Sequence, residues 1–202
     1  MARVGIYPGS FNPPTTAHVA IAAAVRDQRD IDRVVLAHSH QVLGKDVVER
    51  PLFRHRAEVL AAVAAEYDWL DALVTDKRLV ADIAEGYDLV VMGADKWHQI
   101  QELHWYEDES ARDATLARLP EVAVAPRPPL EVPPELVLKL PIELVDGISS
   151  TAARNGNLDH MAPAARRFAT KTGAWSDPDR YEQWLAREAE KRPIDGRPTE
   201  LS

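Results

Sequence analysis

Two stretches of this chain combine residue types able to hold and polarise an anion. The first runs from Val4 to His18, V-G-I-Y-P-G-S-F-N-P-P-T-T-A-H, where a short alternating apolar run gives way to glycine, serine and prolines before a hydroxyl pair and a histidine open an alanine-rich segment. That order predicts a strand, a tight loop and a helix start. Gly9 allows close backbone approach or a positive φ, Pro13 and Pro14 stiffen the loop, and Thr15 or Thr16 can cap the amides opened at the helix end. Unpaired N–H groups and the positive helix end favour a phosphate there, and His18 projects into the same space as a donor that can carry charge. The second stretch is Asp146-Gly147-Ile148-Ser149-Ser150-Thr151-Ala152-Ala153-Arg154. Consecutive hydroxyls at a helix start can both cap it and donate to phosphate oxygens, while Arg154, about one turn in, aims a planar guanidinium at the same anion. Taken alone, this segment reads equally as a plain hydroxyl-rich cap.

Neither the G-K-[ST] phosphate loop nor the G-x-G-x-x-G dinucleotide fingerprint occurs. The first stretch instead resembles the signature of the nucleotidylyltransferase superfamily, G-[ST]-F-[DN]-P followed by [HT]-x-G-H, through Gly9, Ser10, Phe11, Asn12 and Pro13 and then Thr15, Thr16, Ala17 and His18. Ala17 departs from the family glycine and places a methyl group where the nucleotide packs against backbone. The second stretch resembles the other superfamily signature, I-S-S-T-x-x-R, in Ile148, Ser149, Ser150, Thr151 and Arg154, and it follows in the family's order. The resemblance covers about residues 2 to 170 and is closest to the nicotinate/nicotinamide mononucleotide adenylyltransferases. It implies in-line attack of an acceptor phosphate on the α-phosphorus of ATP, expelling pyrophosphate without a covalent enzyme intermediate. In that reaction the protein aligns two polyanions and stabilises growing charge.

The same resemblance distributes roles. His18 would donate to the α-phosphate, Thr15 would hold the attacking or the α-phosphate, and Arg154 with Ser149, Ser150 and Thr151 would hold the β- and γ-phosphates. Gly9, Ser10, Phe11, Gly93, Asp95 and Ile148 would line the nucleotide, and Lys45, Arg56, Trp105 and Arg127 the acceptor. Mg2+ would bridge the triphosphate through substrate and water rather than through a protein metal site. Several of these residues also have ordinary readings: Arg56 and Lys45 as solvated charges, Asp95 as the N-cap of a Lys96 to Glu102 helix, Trp105 as core packing. The acceptor signals diverge. Thr15 in place of histidine resembles the phosphopantetheine enzymes, whereas Gly93-Ala94-Asp95, Trp105 and Arg127-Pro128 lean toward the mononucleotide enzymes, whose S-Y-T-x-D-T stretch is missing between Thr75 and Tyr87. A cytidylyltransferase for another phosphorylated small molecule, or a non-catalytic nucleotide-binding regulator, are the alternatives.

The elements that must carry these residues follow from periodicity. Strands are predicted at Asp32 to Ala37, Asp71 to Val74, Tyr87 to Met92 and Glu121 to Ala125, with an edge strand at Leu136 to Leu144. Between them lie helices at Val19 to Arg29, about Pro51 to Tyr67 and Arg78 to Ala84, and beyond Asn157 helices at about Ala162 to Thr170 and Asp177 to Lys191, before a polar end after Pro193. Alternation of strand and helix predicts an α/β fold: a Rossmann-like open parallel sheet, doubly wound, with a C-terminal helical segment. Residues 1–170 are expected to form the transferase domain, with 171–202 a C-terminal helix and flexible tail packed on or trailing it. His38-Ser39-His40 at a strand end reads as polar loop histidines rather than as a metal pair.

Composition sets the outer limits. At 202 residues the chain can bury one substantial core, and 46% hydrophobic with 28% charged residues is a globular balance. No apolar run approaches the roughly 18 residues a membrane span requires, and the N-terminus runs straight into a strand, so a cytoplasmic protein is expected. Zero cysteines leaves no disulfide or thiolate metal chemistry. A net charge of −8 argues against nucleic-acid binding, while Lys45, Arg50, Arg54, Arg56 and Arg154 can still make one cleft positive enough for ATP and a small phosphorylated acceptor. Self-association is left open.

Overall fold

A computed structural model describes residues 1–40, 50–141, 143–144 and 147–191. The Lys45 segment, Asp146 and the end after Pro193 lie outside the described residues. Five strands, β1 (Val4–Gly9), β2 (Arg33–Ser39), β3 (Leu70–Thr75), β4 (Leu89–Gly93) and β5 (Glu121–Ala125), form one sheet in the order β3-β2-β1-β4-β5. Every neighbouring pair is parallel, with Ile6 opposite Val35 on one side and Val90 on the other. The order reverses at β1, and a reversal of this kind opens a crevice at the carboxyl ends of the strands.

Strand alternation sorts the core into two layers. Tyr7, Leu36, Leu89 and Val91 pack with Ala22 and Val25 of α1 (Thr16–Arg29) and Leu60 of α2 (Phe53–Ala64). Their neighbours Ile6, Ala37, Val90 and Met92 pack with Val80 and Ile83 of α3 (Val80–Ile83) and Ala94 of α4 (Ala94–Gln99). Helices thus cover both faces, the doubly wound arrangement expected, and each fully buried Leu or Ile contributes about 1.5–3 kcal/mol of apolar burial. The 3-10 turn Leu103–Trp105 and α5 (Glu109–Leu116), capped by Asp108, lead into β5. After β5 come α6 (Ser150–Arg154), the 3-10 turn Leu158–His160, α7 (Pro163–Thr172) and α8 (Pro178–Lys191). A third cluster, including Val59, Ala153, Met161, Trp175 and Tyr181, fastens these C-terminal helices to α2. Among the described residues no helix is long and apolar enough to cross a membrane.

Two expectations and one alternative reading need correction. Leu136 to Leu144 does not form an edge strand. Val137 alone bridges to Val124, through Val124 N–H to Leu136 C=O at 2.7 Å and Leu138 N–H to Val124 C=O at 2.9 Å. Pro133, Pro134 and Pro141 remove the donors a longer ladder would need. The helix after β4 starts at Ala94 with Gly93 as its N-cap, so Asp95 lies in its first turn and does not cap it. His38 is not a polar loop residue: it belongs to β2, is fully buried, and stacks on Phe53 at 4.5 Å, with His40 on the same ring at 3.5 Å.

Candidate active site

The loop between β1 and α1 is shaped by sterics before chemistry. A Cβ at Gly9 would stand 2.8 Å from the Phe11 ring, so glycine is required for that close approach, and the positive φ of 41° falls on Phe11 itself. A bulky residue held in this region stores strain that the surrounding packing must sustain. Phe11 is buried and meets His18 edge-on at 5.1 Å and Tyr7 at 5.6 Å. It supports the histidine from the core and does not line the cavity.

Thr15 is the N-cap of α1. Its hydroxyl faces the His18 amide at 3.4 Å, and its own N–H donates to His18 Nδ1 at 2.9 Å, a reciprocal capping box with histidine in the usual glutamate position. Thr15 Oγ1 also lies 2.7 Å from Nδ1. With Nδ1 accepting, the proton of the neutral imidazole resides on Nε2, where it can be donated to an anion.

The second motif arrives from the far part of the chain and closes on this loop. Ser149 caps α6 by accepting from Ala152 N–H, and the Ser150 hydroxyl donates to the Pro13 carbonyl at 2.9 Å. Arg154 donates to the Asn12 carbonyl at 2.5 Å and to Thr151 Oγ1 at 3.1 Å. Further along, Ala162 N–H donates to the Pro14 carbonyl at 3.1 Å, and Trp175 Nε1 to Asn12 Oδ1 at 2.6 Å. The backbone carbonyls of Asn12, Pro13 and Pro14 thus all take donors from residues 150–162, and Trp175 serves the Asn12 side chain.

Between these segments lies a cavity of about 570 Å³ at the carboxyl edge of the sheet, within the range of small-ligand sites. Of the expected nucleotide and catalytic residues, Gly9, Ser10, Thr15, His18, Gly93 and Asp95 line it. So do Ile148, Ser149, Ser150, Thr151 and Arg154, and the family-departing Ala17 stands in the same wall. A Cβ at Gly93 would come within 2.6 Å of Asp95 Oδ1, so glycine there lets the carboxylate fold back over the strand end. Asp95 also pairs with Arg127, another lining residue, at 3.6 Å. Burial pushes the Tyr7 phenol well up, the Asp95 charge adding to it, so this lining residue stays a neutral hydrogen-bonding group.

Two expected acceptor residues are elsewhere. Arg56 lies on the inward stripe of α2 with Val59, Leu60 and Val63, buried, its guanidinium over the Phe53 ring at 5.4 Å. Burial lowers its pKa, and its Nε has no hydrogen-bond partner among the described residues. Trp105 sits on the 3-10 turn with its ring 3.9 Å from His104 and does not line the cavity. Sequence reasoning missed Arg78, Lys96 and Ser39, which do line it, and the Asn12–Trp175 link; only a position at the carboxyl end of a strand, for Ser39, or a few residues past one, for Arg78 and Lys96, marks the first three.

A curated relative from Sulfurimonas denitrificans, described as a probable nicotinate-nucleotide adenylyltransferase, is 25% identical over 166 residues, covering 76% of this chain and 85% of its own. Another so described, from Salinibacter ruber, is 27% identical over 124 residues, covering 50% of this chain and 61% of its own. Among solved structures, nicotinic acid mononucleotide adenylyltransferase of Plasmodium falciparum complexed with NaAD has a similar fold, with a TM-score of 0.52 at 16% identity over 85% of this chain and 96% of that one. Its complex with APC gives a TM-score of 0.51 at 16% identity over 87% and 98%. The cytidylyltransferase-like family model matches residues 6–156. That span takes in most of the chain and both segments that build the cavity, and the chain therefore belongs to the cytidylyltransferase-like family of nucleotidyltransferases.

Proposed function

We propose that the protein transfers the adenylyl group of ATP to the phosphate of a pyridine mononucleotide, nicotinate or nicotinamide, releasing pyrophosphate and forming an NAD-type dinucleotide. The observation that carries the chemistry is the convergence of the two anion-binding segments, Ser150 on Pro13 and Arg154 on Asn12, around a cavity that His18 also faces. The choice of acceptor is supported by the names of the two bacterial relatives.

An acceptor phosphate oxygen attacks the α-phosphorus as the bond to the bridging oxygen breaks, and pyrophosphate leaves. His18 Nε2–H stabilises charge on the α-phosphate, and Thr15, whose hydroxyl is shared with Nδ1, holds the ring in that tautomer. Arg154 and the Ser149, Ser150 and Thr151 hydroxyls receive the β- and γ-phosphates. Gly9, Ser10 and Ile148 line the nucleotide, Asp95 beside Gly93 meets the base, and Arg127 meets the acceptor. Magnesium belongs to the ATP substrate, since the oxygen donors lining the cavity, Asp95 and the hydroxyls, suit a hard cation that keeps its water and polyphosphate ligands. In this reading residues 1–170 form the transferase domain of a cytoplasmic enzyme and 171–202 an appended helix and tail.

Incubation with Mg–ATP and a panel of phosphorylated acceptors, following pyrophosphate release, tests the proposal. Turnover with a pyridine mononucleotide is expected. Turnover only with phosphopantetheine, the acceptor favoured by Thr15, or with a sugar phosphate would replace the acceptor and keep the chemistry. ATP binding without pyrophosphate release on any acceptor would make the protein a nucleotide-binding regulator.

A further inference from the structure

Arg154 reaches the cavity from a short helix, and both of its supports lead to a residue outside the cavity. Asn12, in the β1 loop, is buried and held at two points: its carbonyl oxygen accepts from the Arg154 guanidinium, and its side-chain Oδ1 accepts from Trp175 Nε1 at 2.6 Å. An indole N–H only donates, so the amide oxygen of Asn12 is the atom that must face it. Trp175 does not line the cavity; it lies in the tight turn between α7 and α8, where the Ser176 and Asp177 N–H groups donate to the Gly173 carbonyl at 3.1 and 2.8 Å. Its ring meets Phe168 edge-on at 5.9 Å and belongs to the cluster of Val59, Met161, Tyr181 and the fully buried Ala153. Ala153 is the residue before Arg154. The backbone that carries the arginine and the carbonyl that aligns its guanidinium are therefore both tied to the packing around one tryptophan.

The hold acts where the loop has least reason to stay in place. Phe11, one residue before Asn12, has a φ of 41°, which its surroundings must sustain. Without the indole donor, the buried Asn12 amide oxygen is left unpaired, and the loop can relax toward another partner and move the carbonyl that aligns Arg154. A planar guanidinium grips phosphate oxygens only in fixed directions, so a small displacement weakens that grip. We propose that Trp175 is a positioning residue for adenylyl transfer: by holding Asn12 it aligns Arg154 on the β- and γ-phosphates of the nucleotide. The inference rests on the phosphate-binding role given to Arg154 above, and it makes part of the segment after residue 170 a support of the active site.

Titrations with ATP and with AMP, which lacks the β- and γ-phosphates, test it in the parent, Trp175→Phe, Asn12→Ala, Arg154→Ala and the double variant Trp175→Phe with Arg154→Ala. The parent should bind ATP more tightly than AMP, and Arg154→Ala should remove about tenfold or more of that preference. Trp175→Phe should weaken ATP by about 3- to 10-fold, leave AMP nearly unchanged, and have little further effect once Arg154 is alanine, because the two residues act as one unit. Asn12→Ala breaks the same bond from the loop side without changing the indole, and should give the same ratio of ATP to AMP affinity as Trp175→Phe. Site counts from these titrations report the folded fraction, so partial unfolding lowers the number of sites and not the ratio of the two affinities. Equal weakening of ATP and AMP would give Trp175 a purely structural role, a parent-like ratio in either single variant would make the bond idle, and the same effect with or without Arg154 would route it around the arginine; each overturns the inference while the adenylyl-transfer reading stands. A parent without preference for ATP, or an Arg154→Ala variant that keeps it, overturns the role of Arg154 as well.

Discussion

Replacing His18 with alanine removes two things at once, and the structure separates them by size. One is the capping box, in which Nδ1 accepts the Thr15 amide at 2.9 Å; the Thr15 hydroxyl remains beside the amide of residue 18, so only half of the reciprocal cap is lost. That costs about 1 kcal/mol of stability or less. The other, in the proposed reaction, is the Nε2 donor to the α-phosphate, used most as charge grows in the transition state, and the loss of one such donor costs about 2.7–4 kcal/mol, or 10²- to 10³-fold in kcat. ATP affinity should fall far less than kcat, because in the same proposal the ground-state triphosphate remains held by Arg154 and the Ser149 to Thr151 hydroxyls. Pyrophosphate release at saturating ATP gives kcat, ATP titration gives affinity, and urea unfolding gives the cap. A variant whose urea midpoint drops while kcat stays within about threefold of the parent would make His18 a helix cap and refute its catalytic role.

Arg154→Lys keeps the charge but reaches only one of the two acceptors, Asn12 O and Thr151 Oγ1, that the guanidinium spans; ATP affinity and rate should both fall by about tenfold or more, and parent-like ATP titrations would reduce the segment to a cap. Trp175→Phe leaves Asn12 Oδ1 buried without its donor and should cost about 1–3 kcal/mol in urea unfolding, with activity falling as the loop loosens; an unchanged midpoint would show that the bond contributes nothing. Burial, helped by the Arg56 charge, lowers the His38 pKa to about 4 from an ordinary 6.5. Between those values the unfolded chain binds a proton that the folded one refuses, so stability should decline as pH falls from 6.5 toward 4, by at most about 3 kcal/mol, and level off below. His38→Leu should flatten that part of the urea midpoint profile, and a parallel decline in both proteins would acquit His38.

How much of this was legible depended on whether the cause was local. The strands at Tyr7, Leu36 and Val91 announce themselves as short apolar runs, and the two phosphate segments as fixed spacings of glycine, hydroxyl and basic groups, because capping and anion binding act within a few residues. Arg56 misled because nothing in α2 distinguishes an arginine turned outward from one laid over Phe53. Trp105 lies close in sequence to a lining residue, Lys96, yet the 3-10 turn carries its ring onto His104 instead. Arg78 went unnoticed for the opposite reason: that it lines the cavity while Asp82 and Glu85 pair with Arg118 and Lys77 is a matter of tertiary structure. The β1 loop also concealed which residue bears its strain, since Phe11, not the neighbouring glycine, holds the positive φ.

The three successive carbonyls of the β1 loop, at Asn12, Pro13 and Pro14, have a consequence for how the protein comes into being. Their donors, Arg154, Ser150 and Ala162, together with Trp175 on the Asn12 side chain, are all synthesised long after the loop itself. A nascent chain can lay down β1 to β5 while this loop still points bare carbonyls at water. The loop therefore gains its full set of hydrogen bonds only once the chain extends through Trp175, and a product that stops before Trp175 lacks at least the donor to Asn12 Oδ1. Four hydrogen bonds thus tie one short loop to stretches of chain made long after it.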